Sequence, residues 1–203
     1  MTKPFILFQG PVATRSGYGA HARDLALELI KSDKYDLRIA SLRWGNTPMN
    51  ALNEKNPDHK LILDRMIYDG KLEKQPDLHI QVTVPNEFQQ IGKKNIGITA
   101  GLEATAIPKD WIDGLNRMDL NIVPAEFVKE MIEQTKYEEK QGKEVVGVHG
   151  VNKPIEVLFE GYDEKIYGKT NKFSEDLVEE FKKIREPFCF LFTGHWLAGN
   201  LTQ

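Results

Sequence analysis

Short apolar runs alternate with longer amphipathic segments along almost the whole chain. Residues 5–8, Phe-Ile-Leu-Phe, form a compact run stopped by Gly10 and Pro11, the pattern of a buried strand. Tyr18, Ala22, Leu25, Ala26, Leu29 and Ile30 then recur at helical spacing and mark a core-facing stripe. Residues 37–42 predict a second strand, and residues 58–68, with Leu61, Ile62, Met66 and Ile67, predict a helix. Further on, Leu78, Ile80, Val82 and Val84 alternate with His79, Gln81 and Thr83, which predicts a strand with one buried and one more polar face.

Residues 95–99 and 120–123 predict further strands. Between them, residues 108–118 read as a helix with Pro108 near its first turn, where a missing N–H does no harm. Residues 124–134 read as another, with Phe127, Val128, Met131 and Ile132 as its apolar side. Residues 136–143 are nearly all charged or polar and read as a solvated loop or a frayed helix end; residues 145–148 and 155–159 read as late strands. A helix is expected over 174–184, where Glu175 and Asp176 come first and Lys182, Lys183 and Arg185 come last, complementing the helix dipole. Phe173, Leu177, Phe181 and Ile184 would form its buried edge, and residues 188–193 read as a final strand running into Gly194, His195 and Trp196. This alternation predicts an α/β fold: a Rossmann-like, mostly parallel sheet with residues 5–8 central and helices on both faces.

Composition narrows the class. The chain has 203 residues, 27 basic against 30 acidic, for a net charge of −3, a balance that argues against a nucleic-acid or membrane-surface binder. With 40% hydrophobic residues it is expected to be a soluble globular protein. The single cysteine, Cys189, excludes an internal disulfide, fits a reducing compartment, and lies in an apolar run that predicts a buried, inert thiol. No apolar stretch approaches the ~20 residues that span a bilayer, and the N-terminus lacks the pattern of a signal peptide. A cytoplasmic location is expected.

In such sheets, ligands bind beyond the carboxyl ends of the strands, so the loop after the first strand carries the first candidates. Its end, Gly17-Tyr18-Gly19-Ala20-His21-Ala22, has the form G-x-G-x-x-A of a dinucleotide fingerprint. Two features argue against NAD: a long loop separates the strand from the first glycine, and the second strand ends Ala40-Ser41-Leu42, without the carboxylate that would hold a ribose. What remains is a glycine pair at a helix N-terminus. Gly17 and Gly19 either let backbone amides face a phosphate or only permit a turn and close helix–sheet packing.

Four segments, in order, resemble the group 1 glycosyltransferases (family 4, with the two-lobed GT-B fold). They are Ser16-Gly17-Tyr18-Gly19-Ala20-His21-Ala22-Arg23-Asp24-Leu25 after a long first loop; Ile107-Pro108-Lys109-Asp110-Trp111 followed by residues 118–128, with Val123-Pro124-Ala125-Glu126-Phe127; residues 157–167, with Phe159-Glu160-Gly161-Tyr162-Asp163; and Phe190-Leu191-Phe192-Thr193-Gly194-His195-Trp196. The first of these matches the glycine-bearing entrance to the family's first helix, and the last its first donor-lobe strand. One departure is that Ala125 replaces the family's usual serine and so loses a helix N-cap.

The resemblance implies an N-terminal, acceptor-side lobe over 1–186 and the start of a donor-binding lobe over 187–203. The expected activity is hexosyl transfer from a nucleotide-sugar donor to a sugar or other hydroxyl acceptor. The donor would be a co-substrate, with no further cofactor. The basic pair and paired glutamates of the family's donor site do not occur before Gln203, so the chain alone is expected to be inactive. The strand at 188–193, without its sheet, is expected to lead to self-association or to local disorder at the C-terminus. The runner-up reading is a non-enzymatic α/β module that binds a phosphate or another anion.

By this resemblance Gly17, Tyr18 and Gly19 are candidates for donor-phosphate contact, with Arg15 beside them either as a cation or as a solvated loop residue. Glu103 follows a strand and a glycine; it either orients an acceptor hydroxyl and takes its proton or is a water-exposed loop carboxylate. His21, on the first helix, is a candidate acceptor contact. His79 and His149 flank strands, His59 reads as exposed, and no histidine pair has metal-ligand spacing, so no metal is expected.

Overall fold

Phe5, Ile6, Leu7 and Phe8 are all buried, as a strand covered on both sides requires. A computed structural model of the chain describes residues 3–190 except 69, 143 and 171. These residues fall into two compact units that divide between Glu160 and Gly161, ahead of the 186/187 boundary implied by the family resemblance.

The first unit is built on six parallel strands: β1 (Phe5–Gly10), β2 (Asp36–Ser41), β3 (Leu78–Val82), β4 (Lys94–Ile98), β5 (Leu120–Val123) and, later in the chain, β8 (Ile155–Val157). Their order across the sheet is β2-β1-β3-β4-β5-β8, so β1 is interior while β3 and β4 hold the middle. The helices are α1 (Gly17–Lys31), α2 (Pro57–Leu63), α3 (Lys109–Asn116) and α4 (Glu126–Gln134). The fold is Rossmann-like, with helices on both faces.

Register assigns the faces. Ile6 and Phe8 of β1 stand beside Leu37 and Ile39 of β2 and beside Leu78 and Ile80 of β3. That face packs against Ala22, Ala26 and Ile30 of α1 and Ile62 of α2. The second core joins Val123 and Ile155 to Trp111, Ile112 and Leu115 of α3 and to Val128, Met131 and Ile132 of α4. Phe127 of α4, expected on the apolar side, points outward and is exposed. Ala125 supplies no side-chain cap to α4, as its alanine implies.

The polar face of β3 is not wet. His79, Gln81 and Thr83 are as buried as their apolar neighbours, as are Asn95 and Asn121 on adjacent strands. His79, Gln81 and Asn95 hold the segment 85–92 by its backbone, while Thr83 donates to the Glu87 carboxylate and Asn121 to the Leu115 carbonyl. Gln81 donates from Nε2 to the Glu87 carbonyl at 3.0 Å and accepts from the Gln89 amide at 2.8 Å. Asn95 Oδ1 accepts from the amides of Ile91 and Gly92 at 3.0 Å each. The His79 ring lies between the Gln89 carbonyl and Gln9 Oε1, at 3.1 and 3.2 Å. The more polar face of β3 is thus a template on which an irregular segment satisfies its buried polar groups.

Other differences have local causes. The helix expected over 58–68 stops at Leu63, because Met66 turns back to run parallel to Ile39 at the edge of β2. Residues 136–143 are not a helix end: β6 (Tyr137–Gln141) pairs antiparallel with β7 (Glu144–His149) in a separate hairpin sheet. The hairpin is wet on most of its surface, so charged residues suit it, and Val145, Val146 and Val148 are exposed. It is tied down by Tyr137, whose hydroxyl donates to the Ile107 carbonyl at 2.7 Å.

In the second unit, α5 (Glu175–Lys182) is capped by Ser174, whose hydroxyl accepts from the Leu177 amide, and carries Glu175 and Asp176 first and Lys182 last. Its expected buried edge, Phe173, Leu177, Phe181 and Ile184, is exposed, since no second helix or strand occurs among the described residues of this unit. Cys189 is exposed rather than buried. Residues 188–190 form no strand; the remainder of that expected strand, with His195, lies outside the described residues.

Candidate functional site: a cavity at the carboxyl ends of the parallel strands

The chain leaves β1 for β2 on one side and returns to β3 on the other, so the topological switch point lies between β1 and β3. A cavity of about 170 Å³ opens beside it. Val82, the last residue of β3, and Ile98, the last of β4, form its floor, and Thr99 and Ala100 continue it beyond β4. Gly17, Tyr18 and His21, from the first turns of α1, and Glu160, beyond β8, complete the lining.

The entrance to α1 is rigidly built. Ser16 is the N-cap, and its Oγ accepts from the Gly19 amide at 3.0 Å. Pro11, Val12, Ala13 and Thr14 of the preceding loop are buried. Arg23 reaches back from the helix to donate to the Val12 and Thr14 carbonyls, both at 2.9 Å, and burial lowers the pKa of its guanidinium. The long first loop is therefore a packed segment rather than a flexible flap.

Tyr18 joins this entrance to the end of β4. Its ring stacks on Trp44 with centroids 4.1 Å apart. Its hydroxyl lies 3.0 Å from Thr99 Oγ1 and accepts from the Ala100 amide at 2.9 Å. Burial pushes the phenol pKa up, and the bonds to Thr99 and Ala100 oppose that shift. One turn further along α1, His21 Nδ1 stands 3.5 Å from Glu160 Oε1, with the imidazole largely covered and the carboxylate half exposed.

The structure thus brings Gly17, Tyr18 and His21 to one cavity and places the other sequence-derived candidates elsewhere. Gly19 is buried, and its amide is already taken by Ser16. Arg15 is exposed and turned to Asn50, donating from Nε to Oδ1 at 2.8 Å. Glu103 is exposed and does not line the cavity. His149 stands against Asp113 Oδ1 at 2.8 Å, beside the hairpin, and His59 accepts from the Asn53 amide.

Sequence reasoning passed over Thr99, Trp44 and Glu160. Glu160 had one signal, its place directly after the strand expected over 155–159. That strand is the parallel β8, which ends at Val157 and whose carboxyl end faces the same side as those of β3 and β4.

Among the described residues that line the cavity there is no lysine or arginine. Its polar groups are the imidazole, the carboxylate, the tied hydroxyls of Tyr18 and Thr99, and the amides of Gly17 and Tyr18, which have no partner inside the helix. Such a set suits hydrogen bonding to a largely neutral, hydroxylated molecule better than charge pairing with a polyanion. No group of three or more His, Cys, Asp or Glu side chains among the described residues is placed to hold a metal ion, and no helix among them is long and apolar enough to cross a membrane. Comparison of the chain with known protein families, with curated proteins and with solved structures finds no match in any of the three.

Proposed function

We propose that this chain is the acceptor-side lobe of a glycosyltransferase that moves a hexosyl group from a nucleotide-sugar to a hydroxyl acceptor, and that the cavity receives the acceptor. The observation that carries the reading is the cavity itself. It lies beyond the carboxyl ends of β3 and β4, beside the glycine-headed start of α1, and its free polar edge is His21 with Glu160. A carboxylate at the rim disfavours a diphosphate and suits a polyhydroxy molecule. The donor phosphates then approach the first turn of α1 from outside, where Gly17 and Tyr18 offer amides and the macrodipole favours negative charge. Gly19 shapes that turn without touching the donor. The four family-like segments agree with this assignment, which sets the lobe boundary near residue 186.

The first-turn amides also favour a second reading, a non-enzymatic module that binds an anion. Amide NMR on the isotopically labelled chain separates the two. For the transferase lobe, neutral methyl glycosides shift the Tyr18 and Ala100 amides, and a nucleotide-sugar shifts Gly17 and Tyr18. If inorganic phosphate binds and neither glycosides nor nucleotide-sugars do, the anion module replaces the transferase lobe.

A further inference from the structure

We propose that His21 and Glu160 act as a pair that takes the proton of the acceptor hydroxyl, with His21 as the catalytic base and Glu160 as the residue that positions it. This rests on the reading of the cavity as an acceptor site. Tyr18 and Thr99 are already engaged with each other and with the Ala100 amide. That leaves the imidazole and the half-exposed Glu160 carboxylate as the basic side chains in the lining, and of these the imidazole is the one seated on α1 beside Gly17 and Tyr18. A neutral imidazole carries one N–H and one lone pair, and the group facing the N–H decides which nitrogen has which. Glu160 Oε1 stands 3.5 Å from His21 Nδ1. A carboxylate there favours the proton on Nδ1 and leaves the Nε2 lone pair to accept from a ligand hydroxyl.

In the transfer step the acceptor O–H bond breaks and its proton passes to Nε2. The acceptor oxygen bonds to the anomeric carbon of the nucleotide-sugar as the bond from that carbon to the diphosphate oxygen breaks. The electron pair of that bond leaves with the nucleoside diphosphate. The imidazolium formed on His21 is balanced by the Glu160 carboxylate. Glu103, the carboxylate that the sequence suggests for this role, lies outside the cavity lining.

Long-range proton–nitrogen NMR reads the tautomer of His21 directly. The Nδ1–H form is expected in the parent chain, and Glu160→Gln should redistribute the proton between the two nitrogens. Titration with a methyl glycoside should shift the Nε2 resonance, and His21→Gln should weaken that binding roughly tenfold, the size of one hydrogen bond to a basic group. Glu160 is half exposed and His21, though largely covered, belongs to neither hydrophobic core, so both variants are expected to fold. An Nε2–H tautomer unchanged by Glu160→Gln overturns the pair, as does glycoside binding that leaves Nε2 unmoved. If nucleotide-sugar shifts Gly17 and Tyr18 while glycosides bind nowhere, the pair falls and the lobe assignment stands. If the tautomer and glycoside shifts appear without any nucleotide-sugar response, the pair stands as a hydroxyl site and the transferase reading falls.

Discussion

Gly19 lies so close to Thr14 that a Cβ on it would stand 2.4 Å from the Thr14 carbonyl oxygen and 2.7 Å from its Oγ1. The loop before α1 is thereby seated directly on the helix, and Thr14 Oγ1 in turn donates to the Pro11 carbonyl at 2.8 Å. A side chain at position 19 must push backbone aside. Gly19→Val is expected to cost about 3 kcal/mol or more by overpacking, read as a fall in the urea midpoint.

Gly17, two residues away, meets nothing within 4 Å of a Cβ. Gly17→Ala should leave stability within about 0.5 kcal/mol of the parent, since alanine is the better helix former. If the first-turn amides meet a nucleotide-sugar, the same variant weakens that binding while the melting temperature holds. The two glycines of one motif thus have opposite expected signatures.

Removing the Tyr18 hydroxyl leaves the stacking on Trp44 intact but takes a partner from Thr99 and the Ala100 amide. Tyr18→Phe is expected to cost about 1 kcal/mol, and hydrogen exchange at Ala100 should speed up more than exchange in the middle of β4.

Gln81 is 2% exposed and serves both the Glu87 carbonyl and the Gln89 amide. Gln81→Leu keeps the bulk and strips both partners, for an expected loss of about 3 kcal/mol from two unsatisfied buried groups. Chemical denaturation measures it, and protease sensitivity within 85–92 should rise in parallel.

Stability should also depend on pH through His79. Burial lowers its pKa below 6.5 in the folded chain, against the smaller opposite pull of the Gln89 carbonyl. Below about pH 6.5 the unfolded chain takes up the proton before the folded one does. The contribution of His79 is therefore complete above that pH and is lost as the pH falls towards the folded-state pKa. The stability gap between the parent and His79→Gln should shrink between about pH 8 and about pH 5.5 in paired urea titrations.

Much of the fold was legible because burial repeats with the period of each element. Residues 5–8 and the Ala22, Ala26, Ile30 stripe name a two-sided strand and a one-sided helix without reference to anything distant. Even the acidic start and basic end of α5 follow from the dipole alone. Residues 136–143 were misread because a charged run has no burial period, and a hairpin wet on most of its surface needs none.

The sequence by itself thus determined the α/β alternation, the start of α1 at a glycine pair, and the presence of Tyr18 and His21 near that start. The tertiary structure decided which polar groups meet. It set Tyr18 against Thr99, 81 positions away in the chain, and His21 against Glu160. It also made His79 and Gln81, on the more polar face of β3, part of a buried template. The physical reason is that periodicity records how much of a residue is covered. The partner of a buried hydrogen-bonding group is chosen by strand order and loop path, and these depend on the whole packed sheet at once.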